Sequence, residues 1–119
     1  MSATLEHQTD NLYLVRISGN LKKSELDELQ SEFVAFLADA GAIRLLIVLE
    51  NFTGWDRDGD WGDQSFFLTH GDYLERIAIV GERGWEAEML AFVGAGLRKA
   101  PVKFYPPSGE AQARVWLSE

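Results

Sequence analysis

Cysteine is absent from this 119-residue sequence, and its absence excludes disulfides, thiolate nucleophiles and thiolate metal ligands together. Positive charge is also scarce, because 11 Lys and Arg side chains oppose 19 Asp and Glu side chains and the formal net charge is -8. An acidic surface repels the phosphates of nucleic acids and of anionic lipids. We therefore expect no nucleic-acid partner and no membrane partner held by charge.

Long apolar runs are missing as well. No stretch approaches the roughly 20 residues that a membrane-spanning helix needs, and the first residues lack the basic start and apolar core of a secretory signal. We expect a cytoplasmic protein without integral membrane association. A chain of 119 residues, 46% hydrophobic and 25% charged, can bury one core but hardly two. Residues 1–119 are therefore interpreted as a single domain.

Familiar catalytic patterns are absent too. The sequence has no Gly-x-Ser-x-Gly elbow, and His70 has Asp72 nearby but no nucleophile on the same predicted helix face. The glycines at residues 94 and 96 are predicted to end a helix, whereas a phosphate-binding loop opens one. We therefore predict a non-enzymatic protein without a cofactor. The alternative is a weak hydrolytic or metal-dependent enzyme that uses His70 and an acidic loop at residues 56–60.

The acidic loop places Asp56, Asp58 and Asp60 at alternate positions, as calcium-binding loops do. The full calcium pattern fails, because the sixth position counted from Asp56 is Trp61 instead of glycine and the twelfth is Phe67 instead of glutamate. We therefore predict no metal site and interpret the segment as a solvated loop. A weak cation site is the alternative.

The clearest structural signal is the apolar run within residues 43–50. This run does not alternate between polar and apolar residues, so it predicts a strand that is covered on both faces. Ile47 and Leu49 should face one covering layer, and Leu46 and Val48 the other. Such a strand requires helices on both sides, which indicates an α/β fold.

Sequence patterns before and after this strand predict the remaining strands and helices. Alternation and turn residues predict an edge hairpin over residues 4–7 and 12–18, ended by the glycine at 19, and further strands at 76–80 and 102–105. A loop is predicted at residues 51–60. Helices are predicted over residues 24–40, 61–70, 85–93 and 109–117, with Ser24 and Ser108 as N-terminal caps.

Four segments in this order and spacing resemble the SpoIIAA-like family of small bacterial proteins. They are Ile-Arg-Leu-Leu at 43–46, Asn-Phe-Thr-Gly-Trp at 51–55, Arg-Ile-Ala-Ile-Val-Gly at 76–81 and Ala-Arg-Val-Trp-Leu at 113–117. The resemblance covers almost the whole chain. It implies a four- or five-stranded, mixed and mostly parallel sheet flanked by helices, the fold shared by STAS domains and lipid-carrying Sec14-type domains. It implies no settled activity.

The sequence departs from one motif of this fold. Anti-sigma-factor antagonists carry Asp-Ser-Ser-Gly, or a similar motif, after the central strand, and a serine there receives phosphate. The corresponding segment here has no serine pair, and Thr53 is its nearest hydroxyl. A phosphate on Thr53 would add negative charge beside Glu50 and Asp56, with only Arg57 near in sequence to neutralise it. We predict that Thr53 is not a regulatory phosphoacceptor.

Five aromatic residues fall within sixteen positions after the central strand: Phe52, Trp55, Trp61, Phe66 and Phe67. Open α/β sheets bind ligands at the carboxyl ends of their strands, where this cluster begins. We therefore predict that these residues bind a protein partner or an apolar small molecule such as a lipid, and a homodimer is one form this can take. The alternative is that the rings only cover the sheet as core residues.

Overall fold

The computed structural model of the chain describes residues 3–9, 11–40, 43–55, 74–92 and 101–119. Five strands form one sheet: β1 (Ala3–Thr9), β2 (Leu12–Leu21), β3 (Ile43–Trp55), β4 (Leu74–Val80) and β5 (Val102–Tyr105). The helices are α1 (Lys23–Ala40), α2 (Glu86–Phe92) and α3 (Glu110–Ser118). Short 3₁₀ turns at Arg83–Trp85 and Pro107–Gly109 lead into α2 and α3. None of these helices is both long and apolar enough to cross a membrane.

The sheet has the strand order β1-β2-β3-β4-β5. β1 pairs with β2 in antiparallel fashion, and every later neighbour is parallel to the one before it. Parallel neighbours need a crossover connection, and α1 and α2 lie on the connections from β2 to β3 and from β4 to β5. The predicted α/β class, the mixed and mostly parallel sheet and the edge hairpin are confirmed.

β3 is buried on both faces, as its apolar run predicts. Ile47 and Leu49 belong to a core that includes Phe33 of α1 and Met89 of α2. The other face of β3 contributes to a second core that includes α3, with members Leu14, Leu46, Val48, Ala78, Val80, Ala113 and Leu117. Helices α1 and α2 therefore cover one face of the sheet, and α3 covers the other.

The predicted ends of β2 and β3 are wrong by three residues or more, because both strands are longer than the sequence indicates, whereas the predicted bounds of β1 and β4 differ by two residues or fewer. β2 passes through Gly19 and ends at Leu21, and β3 continues through the predicted loop to Trp55. The two strands stay paired over this stretch, since Leu21 lies opposite Trp55. Gly19 adopts a positive φ of 64° inside the paired region. Cross-strand pairing therefore overrides the local signals for a turn.

Both serine caps are also wrong. α1 begins at Lys23, so Ser24 lies inside the first turn, where the Leu26 amide donates to the Lys22 carbonyl at 3.0 Å. Ser108 lies within the 3₁₀ turn, and the N-cap of α3 is Gly109, which has no side-chain oxygen. Pro107 opens that turn and gives the chain a helical φ before α3 begins. The predicted helix at residues 61–70 lies outside the described residues.

Two arginines fix the carboxyl end of α3 to the sheet. Arg44 of β3 and Arg76 of β4 are neighbours in the sheet, and their guanidinium groups donate to the carbonyls of Leu117 and Trp116 respectively. The last carbonyls of a helix have no partner within it and carry partial negative charge, so a guanidinium satisfies both needs. The Arg76 guanidinium also lies 5.3 Å from the Trp116 ring centre.

We expect Arg44→Met to destabilise the protein by about 1–3 kcal/mol, because the Leu117 carbonyl and Glu75 would each lose a charged donor. Urea unfolding measures the loss, and hydrogen exchange should quicken first in α3. The matched control is Arg83→Met, since Arg83 is exposed in the 3₁₀ turn before α2. Equal stability of the two variants would show that the arginine does not fix α3.

Candidate functional site

β3 runs beyond the end of its neighbour β4. The last pair between them is Val48 with Val80, whereas β2 stays paired with β3 as far as Trp55. The carboxyl edge of the parallel sheet is therefore stepped, with the end of β3 projecting past β4. Such an edge is where open α/β sheets place their ligands.

An irregularity in the projecting part of β3 sets the direction of its side chains. Ser18 of β2 lies opposite Glu50, but Asn20 lies opposite Gly54, so β3 holds two more residues than β2 between these pairs. Asn51 and Gly54 accommodate the bulge with positive φ angles of 51° and 114°. Both residue types adopt that conformation at low cost.

The bulge changes which side chains reach the core. Leu49 faces the core covered by α1 and α2, and strict alternation would direct Asn51 there next. Instead Phe52 enters that core, with 7% of its surface exposed, while Asn51 and Thr53 are exposed. The first extra residue reverses the faces of those that follow and the second reverses them again, so Phe52 and Trp55 both pack on this core. The structure thus brings the first predicted aromatic residue inwards.

Phe52, Trp55 and Trp85 form an aromatic cluster at this edge. Phe52 contacts Trp55 with ring centres 5.1 Å apart and Trp85 with ring centres 4.9 Å apart, both edge to face. Trp55 and Trp85 are themselves 6.1 Å apart. Edge-to-face pairs stabilise a fold beyond the contribution that comes from burying the rings. Gly54 lies against Trp85, and a Cβ at Gly54 would approach that indole to 3.3 Å.

Trp85 was not predicted as a site residue. The sequence indicates only the apolar face of a helix there, and the structure places Trp85 at the end of the 3₁₀ turn that precedes α2. One available signal was its position shortly after β4, since parallel neighbours end at the same edge of a sheet. Of the predicted aromatic residues, the structure brings Phe52 and Trp55 together, and Trp61, Phe66 and Phe67 lie outside the described residues.

A groove of about 380 Å³ lies at the carboxyl ends of β3, β4 and β5. It is lined by residues 49–52 of β3, by Glu82 and Trp85 after β4, and by Pro107 after β5. We call it the carboxyl-end groove. Its volume falls within the roughly 300–1,000 Å³ that ligand sites occupy. Phe52 and Trp85 give it an aromatic wall, and two carboxylates give it negative charge.

The two carboxylates of the groove have different surroundings. Glu50 accepts a hydrogen bond from Arg16 at 2.5 Å, and this bond raises the pKa of Arg16, so the guanidinium stays charged. Both side chains are more than 40% exposed, so solvent screens the pair and it stabilises the fold little. Glu82 forms no ion pair with any residue in the described part of the chain.

A second depression, of about 420 Å³, lies between β5 and α3. Lys103, Tyr105, Trp116 and Glu119 are among its lining residues. Burial raises the pKa of the Tyr105 hydroxyl, and the Glu119 carboxylate raises it further, so this phenol stays protonated near neutral pH. The Lys103 ammonium lies 5.0 Å from the Trp116 ring centre. Neither Phe52 nor Trp55, the two predicted aromatic residues that the structure describes, lines this depression.

The residues of the alternative enzyme hypothesis, His70 and the acidic loop at 56–60, lie outside the described residues. Across residues 3–9, 11–40, 43–55, 74–92 and 101–119, no three His, Asp or Glu side chains are grouped so that they could hold a metal ion. His7 of β1 stacks on Tyr13 with ring centres 4.7 Å apart. Thr53 is exposed on a strand, and its lack of a phosphoacceptor role remains a prediction.

Comparisons with known proteins agree with this architecture. The model of the SpoIIAA-like family matches residues 12–118. A solved structure of an uncharacterized DUF3478-family protein with a SpoIIAA-like fold, from Shewanella loihica PV-4, is similar with a TM-score of 0.71 and 21% identity, covering 97% of this chain and 91% of that one. The anti-sigma factor antagonist SpoIIAA in its unphosphorylated form is similar with a TM-score of 0.63 and 16% identity, covering 96% and 97%. No curated protein matches.

Proposed function

Since the chain belongs to the SpoIIAA-like family, we propose that it is a non-enzymatic regulatory domain that binds a protein partner at the carboxyl-end groove. One protein of similar fold is described as an anti-sigma factor antagonist, which is a regulatory role. A similarity at 16% identity shows only a shared fold. The regulatory role is therefore part of our proposal for this chain. The groove is the observation that supports it.

The composition of the groove favours binding over catalysis. Among the described residues its lining consists of Leu, Glu, Asn, Phe, Trp and Pro side chains, with no hydroxyl, imidazole or amine. Acyl transfer through a hydroxyl or an amine would need such a group beside a base, and the groove's two carboxylates have no such neighbour among its described lining residues. Aromatic side chains, and tryptophan above all, are instead enriched among the residues that dominate the binding energy of protein interfaces.

The aromatic cluster also gives the groove a firm wall. Trp85 packs on Phe52, and Phe52 belongs to the core shared with α1 and α2. A partner that meets such a preformed surface loses less conformational entropy than one that must order flexible side chains. Trp61, Phe66 and Phe67 follow β3 in sequence, and we propose that they extend the same binding surface.

Site-specific photocrosslinking in the source cell tests this function. We expect p-benzoylphenylalanine in place of Asn51, which is exposed and lines the groove, to give a light-dependent adduct with one protein. The same group in place of Val115, which is 60% exposed on α3, is the control and should give no adduct with that protein. In the Asn51-substituted chain, Trp85→Ala should reduce the adduct about tenfold or more, since truncation of an interface tryptophan costs about 2 kcal/mol or more.

Identical adducts from both positions would contradict the proposal, because they would indicate non-specific contact. Native mass spectrometry of the unlabelled protein separates the other predicted forms of binding. A doubled mass that Trp85→Ala abolishes would identify a second copy of the chain as the partner. A small retained mass lost in the same variant would replace the protein partner with an apolar small molecule or lipid.

A further inference from the structure

We infer that the carboxyl-end groove receives an arginine side chain of the partner protein. This inference rests on the proposed function and specifies the chemistry of the partner. Three features of the groove support it: two carboxylates line it, none of its lining residues in the described part of the chain is basic, and two aromatic residues line it as well.

The charge of the groove calls for a cation. Arg16 donates to one oxygen of Glu50, which leaves the second oxygen as an acceptor, and Glu82 has no ion-pair partner among the described residues. Arg83 follows Glu82 directly, but it is exposed and does not line the groove. The net charge of -8 adds a long-range attraction for cations. An anionic or neutral partner would leave Glu82 without an ion pair.

The aromatic wall favours arginine over lysine. Phe52 is 7% exposed and packs edge to face on Trp85, whereas Trp85 is only half-buried, so the Trp85 indole is the ring on which a planar group can stack. A guanidinium is planar, weakly hydrated and able to stack on an indole while it donates to a carboxylate. An ammonium is compact and strongly hydrated, and it binds a carboxylate as a point charge. The exposed Asn51 at the groove adds an amide oxygen as a further acceptor.

The size of the groove suits a side chain. The volume of 380 Å³ lies near the lower end of the range for ligand sites. A groove of this size accommodates one extended side chain better than the face of a helix. The groove is therefore an anchoring point within a larger interface. Glu82 and Trp85 come from one connection and Glu50 from the central strand, so the anchor depends on the tertiary fold.

Amide NMR of the full chain tests the inference with three probes: N-acetyl-arginine methylamide, its lysine counterpart and its citrulline counterpart. Citrulline keeps the shape of arginine and lacks its charge. We expect saturable shifts from arginine at Asn51, Glu82 and the Trp85 indole, about tenfold weaker binding of citrulline, and weaker binding of lysine than of arginine. Glu82→Gln should weaken arginine binding about fivefold, whereas Glu88→Gln, an exposed change on α2, should leave it unchanged.

Equal binding of arginine and citrulline would overturn the inference, as would equal losses in Glu82→Gln and Glu88→Gln, which would indicate diffuse attraction to an acidic surface. The crosslinking experiment keeps the two proposals separate. A partner adduct from the Asn51 position, together with no arginine shifts at the groove, would overturn the arginine anchor and leave the binding function intact. Identical adducts from the Asn51 and Val115 positions would overturn the binding function itself.

Discussion

Ile47→Asp and Val48→Asp are each expected to abolish folding of the purified protein. Ile47 and Val48 are both 6% exposed and lie in the two cores on opposite faces of β3. A carboxylate at either position would be buried without a partner, at a cost of several kcal/mol, against a total stability of about 5–15 kcal/mol for a domain of ordinary stability. The expected product is insoluble or lacks a cooperative unfolding transition in circular dichroism.

Thr53→Asp is the matched control, because Thr53 lies on the same strand and is exposed. It should fold, with a melting temperature close to that of the unmodified chain, since surface substitutions usually change stability by less than about 0.5 kcal/mol. A soluble, cooperatively folded Ile47→Asp variant would show that the face beneath α1 and α2 is not sealed. A soluble, cooperatively folded Val48→Asp variant would show that the face beneath α3 is not sealed.

Gly81 is expected to tolerate alanine poorly, and Leu49→Ala is expected to relieve part of the cost. A Cβ at Gly81 would lie 2.7 Å from Leu49 Cδ1 and 3.0 Å from Leu49 Cβ. The backbone there is held in place, because the Gly81 amide donates to the Tyr105 carbonyl at 3.0 Å. Overpacking of this kind costs about 1–3 kcal/mol, and Leu49→Ala alone costs about 2–5 kcal/mol.

A double-mutant cycle measured by urea unfolding decides whether the contact causes the cost. We expect the double variant to be about 1 kcal/mol or more stable than the sum of the single changes implies, because the truncated side chain removes the Cγ and Cδ atoms that crowd the new methyl group. Gly84→Ala is the control, since a Cβ there meets nothing within 4 Å. Additive losses within about 0.5 kcal/mol would show that Gly81 is required for another reason. Leu49 lines the carboxyl-end groove, so the same crowding should also disturb binding there.

Elements with strong local patterns could be predicted from the sequence. The predicted strand at residues 102–105 has the same bounds as the observed β5. The predicted start of the central strand at Ile43 is confirmed. Burial of that strand on both faces follows from its unbroken apolar run, which needs no knowledge of neighbouring strands. Errors occur where weak local signals compete with tertiary contacts. Gly19 lies inside a strand, and Ser24 lies one residue beyond the start of its helix.

The sequence indicates less of the candidate site than of the fold. Phe52 and Trp55 are predicted because they follow a buried strand, and the structure places them in one aromatic cluster with Trp85. Phe52 lines the groove, whereas Trp55 packs beside it and does not. No feature of its local sequence distinguishes Glu82 from the other exposed acidic residues. Glu82 lines the groove because the segment after β4 lies beside β3, although the two are far apart in sequence.

The fold class, the two-sided burial of β3 and the acidic character that disfavours phosphate-bearing partners all depend on composition or on the spacing of neighbouring residues, so they can be predicted without a structure. The groove depends on tertiary contacts. Pairing with β2 holds a bulge in β3 that turns Phe52 inwards and leaves Asn51 exposed. The chain then returns through β4 and brings Trp85 into contact with Phe52. Contacts between residues far apart in sequence create this surface, so no local pattern encodes it.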